Sequence, residues 1–137
     1  MQRLEVSGAV RPTYGLLGVK RLIELPMYKL NIVCIYRSPD GQLDKFLNKL
    51  ELVIQKLLNK NKKLLLCGDW NIDFLPEDSD QKNLTDLLLT YNLVNTVKSP
   101  TRMTSSAQIL LDVIIINKTH YSTLATVIEL GQSDHQA

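Results

Sequence analysis

The stretch Leu64-Leu65-Leu66-Cys67-Gly68-Asp69-Trp70-Asn71-Ile72-Asp73 decides how the rest of this 137-residue chain is read. It opens on four apolar residues, a run of the length of a buried strand. Gly68 then permits a tight backbone exit. Asp69 and Asn71 follow two residues apart, so an extended backbone points both side chains the same way. A carboxylate beside a carboxamide at a strand's C-terminal edge is well placed to handle a polar ligand. Taken alone, the pair is better explained by turn formation, which Asp and Asn side chains favour by bonding nearby backbone. The segment gains force from two others far along the chain, Leu111-Asp112-Val113-Ile114 and Ser133-Asp134-His135.

Upstream of this strand, Leu43 to Asn59 carries the clearest helical period. Leu43, Phe46, Leu47, Leu50, Val53, Ile54 and Leu57 fall on one face, and Asp44, Lys45, Lys49, Glu51 and Lys56 largely on the other. Asp40 is placed to cap it, and Lys60-Asn61-Lys62-Lys63 suits its C-terminus, where cations meet the negative end of the dipole. Further upstream, Val19 to Leu25 and Lys29 to Tyr36 read as two strands joined at Pro26-Met27-Tyr28, a hairpin. The second is too apolar for a half-exposed strand and belongs in the sheet interior. Downstream, Asp73 to Asp80 is an acidic loop whose spacing is not that of a calcium site; it reads as solvated loop and helix cap. A shorter helix is expected over Leu84 to Leu93, a polar loop over Asn95 to Ser106, and strands over Ile109 to Ile116 and Leu124 to Leu130. The alternation predicts an α/β layered domain.

With 45% hydrophobic and 22% charged residues the composition is globular, and the net charge of +2 makes no electrostatic case for nucleic acid by itself. The chain suits one domain: a poorly specified segment over 1–19, then a folded region over 20–137. Cys34 and Cys67 sit in strand-like apolar runs and read as buried free thiols of a reducing compartment, neither a disulfide nor a metal site. Met1 to Glu5 lacks a signal-peptide apolar region, and Asp112 interrupts the nearest approach to a membrane span. The expected location is intracellular, nuclear or cytoplasmic.

Five motifs in order carry a resemblance: Tyr36-Arg37-Ser38-Pro39, Gly68 to Asn71, Ser99-Pro100-Thr101-Arg102, Leu111-Asp112, and Ser133-Asp134-His135. Any one is weak; the ordered set is specific. It resembles the endonuclease/exonuclease/phosphatase superfamily, and within it the endonuclease domains of non-LTR retrotransposons, insect-type elements above all. The likeness runs from about Ile23 to the last residue. It implies a deoxyribonuclease I-like fold, a two-sheet β-sandwich flanked by helices, with a catalytic rim where strands end. It also implies hydrolysis of DNA phosphodiester bonds with magnesium or manganese.

Each role comes from that resemblance. Asp69 would activate or orient the attacking water, and Asn71 would hydrogen-bond the phosphate or that water. Tyr36 would contact the phosphate, and Arg102 the substrate. His135 would face the phosphoryl oxygens, with Asp112 holding its other ring nitrogen. Asp134 would serve the metal side. A His beside a buried carboxylate favours its imidazolium, which suits a phosphate contact. An acid amid Leu111, Val113, Ile114 and Ile115 is costly without a partner. His120 matches nothing in the pattern.

The family also uses an Asn and a Glu from earlier strands, the Glu a principal metal ligand, and neither has a counterpart here; Glu5 and Glu24 stand in other contexts. The resemblance therefore covers a domain truncated at both ends, a fragment expected to cleave weakly or not at all alone and to self-associate through an exposed sheet edge. Two alternatives remain at this point: a non-catalytic nucleic-acid-binding remnant, and a phosphoesterase of the same superfamily.

Overall fold

A computed structural model describes residues 19–59, 61–117 and 125–128. Strand β1 (Val19–Leu25) and strand β2 (Leu30–Ile35) form the expected hairpin through a 3-10 turn at Pro26–Tyr28. Helix α1 (Leu43–Leu57) carries the chain to strand β3 (Lys63–Asp69), which runs parallel to β2. Helix α2 (Ser79–Thr90) precedes the short strand β4 (Leu93–Asn95). A two-stranded ribbon, β5 (Arg102–Met103) with β6 (Gln108–Ile109), comes before β7 (Asp112–Asn117). The main sheet has the order β1-β2-β3-β7-β4, so the stretch quoted first lies at its centre.

The two sheet faces differ. Val33, Ile35, Leu64, Leu66, Val113 and Ile115 are buried and share one core with Phe46, Leu50, Val53 and Ile54 of α1 and Leu84 and Leu88 of α2. Burying an apolar side chain of this size stabilises by roughly 1.5–3 kcal/mol. The helix with the stronger apolar period, α1, buries four side chains in this core and α2 two. Along β2 and β7 the alternate residues are half-buried, Cys34, Asp112 and Ile114 among them.

Four expectations are corrected. Asp40 does not cap α1: the cap position is Gln42, with no side-chain bond. The second helix starts at Ser79 rather than Leu84, because Asp78 accepts the Gln81 N–H at 2.8 Å and caps it there. That helix ends at Thr90, since Leu93 pairs with Asn117 in the sheet. Finally, residues 125–128 hold no strand; the rest of Leu124 to Leu130 lies outside the described residues. Among the described residues no helix is long and apolar enough to cross a membrane.

Candidate functional site

β2 and β3 are parallel, and β7 is antiparallel to β3. The C-terminal ends of the first two and the N-terminal end of the third therefore reach the same rim. That topology brings Tyr36, Asp69, Asn71 and Asp112 to one end of the sheet. Asp69 and Asp112 are direct partners in the β3–β7 register, which sets their side chains on one face. Both are half-buried, while Tyr36 is exposed. Arg102 stands on the β5–β6 ribbon, next to Thr101. Asp134 and His135 lie outside the described residues.

Gly68 makes the approach of β2 to β3 feasible. Its φ is +133°, and a Cβ built there would lie 1.9 Å from the Ile35 carbonyl oxygen. The close approach lets the Arg37 N–H donate to the Asp69 carbonyl at 3.0 Å, just beyond the last strand pair.

Asn71 is not extended. Its φ of 48° puts it in the left-handed region that Asn tolerates. The Asp69 Oδ1 accepts the Asn71 N–H at 3.0 Å, so the turn read as an alternative for this pair does form. It does so at the rim, where it orients the carboxylate. The Asn71 Nδ2 donates to the Arg37 carbonyl at 2.6 Å, and the Arg37 Nη1 donates back to the Asn71 carbonyl at 2.9 Å. The second guanidinium nitrogen donates to the Gly41 carbonyl at 2.5 Å. The guanidinium lies 5.9 Å from the Phe46 ring centre, and that ring meets fully buried Trp70 edge-on at 5.6 Å. Arg37 thus fastens the Asp69–Asn71 turn to the start of α1.

On the other side, the hydroxyl of buried Thr101 accepts the N–H groups of Leu111 and Asp112, each at 3.1 Å. It fixes where β7 begins. Asp73 accepts the N–H groups of Leu75 and Leu110 at 3.0 Å, tying the post-β3 loop to the same segment. Arg37 and Thr101 both stand inside motifs of the sequence pattern, yet the pattern assigned neither a role. Their bonds span 34 and 10–11 residues, and only the fold reveals them.

A cavity of about 100 Å³ opens beside Asp112, bounded by Thr101, Ile114 and Ala125 to Val127. A larger one of about 200 Å³ lies between α2 and β4; its lining is mostly apolar, with Lys98 and no carboxylate. Neither Asp69 nor Asp112 lines the larger cavity. Deeper on the face that carries Asp69, Cys67 has its thiol pushed up to about 12 by burial, by its bond to Cys34 and by that neighbour's charge.

A hard divalent cation takes oxygen ligands, about six for magnesium. Asp69 and Asp112 are oxygen donors of that kind. Among the described residues, no three His, Cys, Asp or Glu side chains converge on one point. The described donors suit such an ion in type and fall short of it in number.

A family model described as endonuclease-reverse transcriptase matches residues 30–137. The fold is similar to that of the endonuclease domain of TRAS1, a telomere-specific non-LTR retrotransposon. The TM-score is 0.70 at 21% identity, over 85% of this chain and 57% of that one. It is also similar to a 3'-5' exonuclease (NExo) from Neisseria meningitidis, with a TM-score of 0.66 at 14% identity, over 88% and 67%. An AP endonuclease from Archaeoglobus fulgidus gives 0.65 at 12%, over 88% and 66%. The chain thus spans little more than half the length of the TRAS1 domain. No protein with a curated description matches the sequence.

Proposed function

Because this chain belongs to the endonuclease–reverse transcriptase family of the endonuclease/exonuclease/phosphatase superfamily, we propose that its rim serves hydrolysis of DNA phosphodiester bonds, as in target nicking by a non-LTR retrotransposon. The observation that carries this reading is the direct pairing of Asp69 with Asp112 at the sheet end. Like charges directly opposite each other on a sheet are destabilising. Such a pair is useful where a cation joins it: a metal ion, or the imidazolium of His135.

Asp69 spends one oxygen on the Asn71 N–H. The other is the one to take a proton from water as it attacks phosphorus. Asn71 has one amide hydrogen committed to Arg37, which leaves the second for a phosphoryl oxygen. Tyr36 would contact the phosphate and Arg102 the substrate. Asp112 would hold His135, and Asp134 would add a donor for the metal. When bound, a divalent ion supplies stabilisation of charge on the phosphoryl and leaving oxygens. Because no three such donors converge among the described residues, the chain by itself is expected to nick slowly.

The test is nicking of supercoiled plasmid by the purified chain with magnesium, with manganese and with chelator. The reading expects slow, cation-dependent nicking that falls on the order of 100-fold or more in Asp69→Ala. Nicking undiminished by chelator or in that variant would contradict it. So would a folded chain that neither nicks nor binds duplex DNA at low salt.

A further inference from the structure

Two side chains on the face that carries Asp69 take no part in the chemistry above. Cys34 and Cys67 are direct partners on parallel β2 and β3. Both are half-buried and unbridged, and their sulfur atoms lie 3.5 Å apart. Side chains paired on neighbouring parallel strands stand side by side at the strand spacing, about 4.7–4.9 Å. The two sulfurs are in contact and not bonded to each other. A single thiophilic atom set between them could bond both sulfurs.

Thiolate sulfur is a soft donor that selects soft ions, monovalent copper among them. Zinc in structural sites takes four ligands, and among the described residues no third His, Cys, Asp or Glu joins the two thiols. Two sulfurs alone suit a centre of low coordination number. We propose that Cys34 and Cys67 form a two-sulfur site for a soft thiophilic centre, of the class of monovalent copper and trivalent arsenic, bound across β2 and β3. With monovalent copper, two S–H bonds break, two S–Cu bonds form, and two protons leave to solvent without change of oxidation state. With an aryl arsenic(III) oxide, two S–As bonds form, and both thiol protons leave on the oxide oxygen as one water.

The probes are phenylarsine oxide and monovalent copper, applied to the full chain without oxygen and read by mass spectrometry and by competition with a coloured copper chelator. The expected result is one arsenical per folded chain, removed by excess dithiol and not by monothiol, and one copper per chain that blocks the arsenical. Cys34→Ala and Cys67→Ala each lose both ligands. Binding to the folded wild type is at least 10-fold tighter than to the urea-unfolded chain, a comparison that needs no variant to fold. Equal affinity of the folded and unfolded chains would overturn the proposal, as would an adduct that survives in either variant. Copper that binds without blocking the arsenical would also overturn it.

Discussion

The left-handed backbone at Asn71 is held from both sides by Arg37, whose carbonyl accepts from the Asn71 side chain and whose guanidinium donates to the Asn71 carbonyl. A planar fork is what spans the Asn71 and Gly41 carbonyls at once; an ammonium presents a point charge. Arg37→Met should therefore lower unfolding free energy by about 2 kcal/mol, read from denaturant midpoints. Arg37→Lys should recover little of that loss, and full recovery by lysine would show that charge alone matters. At Cys67 the sign of the pH effect follows from the upward push on the thiol, from an ordinary 9.0 to about 12. The folded chain keeps this proton where the unfolded chain gives it up. The stabilisation is present below pH 9 and is lost as pH climbs toward 12. Stability should thus fall more steeply over that window in the wild type than in Cys67→Ala; equal slopes would contradict it. Asp69 and Asp112 were legible as site candidates only as members of the ordered motifs, since each taken alone reads as a turn or cap residue. Arg37 and Thr101 were not, because their partners lie far along the chain and a side-chain-to-backbone bond leaves no periodic trace.

Elements differ in how openly their residues declare them. α1 was readable because its buried positions, Phe46, Leu50, Val53 and Ile54, repeat at helical spacing. The start of α2 was not, because Ser79 to Asn83 is wholly polar and the Asp78 cap alone sets that end. β4 spans three residues, too short for any period to show, and is recruited by pairing with β7. The β2–β3 closure depends on one residue. Gly68→Ala would add a Cβ into the Ile35 carbonyl at a φ that L side chains rarely adopt. A destabilisation on the order of 3 kcal/mol is expected in a thermal or denaturant melt. A variant as stable as the wild type would mean that the strands do not approach as described.

At the scale of the whole molecule, one sheet carries the account. Its order places β3 at the centre, and its mixed directions gather three strand ends at one rim. The fold class was legible from alternation alone; the rim was legible only through the ordered motifs. That the α2–β4 groove is larger than the cavity beside Asp112 could be learned only from the packed structure. The most direct test is to titrate a short DNA duplex into the isotope-labelled chain, with chelator present so that nothing is cut, and to follow backbone amide shifts. The predicted shifts cluster at Tyr36, Asp69 to Asn71, Arg102 and Asp112. Shifts that gather instead around Leu75, Leu89 and Lys98, or around Lys62 and Lys63, would contradict the rim as the place where DNA is engaged.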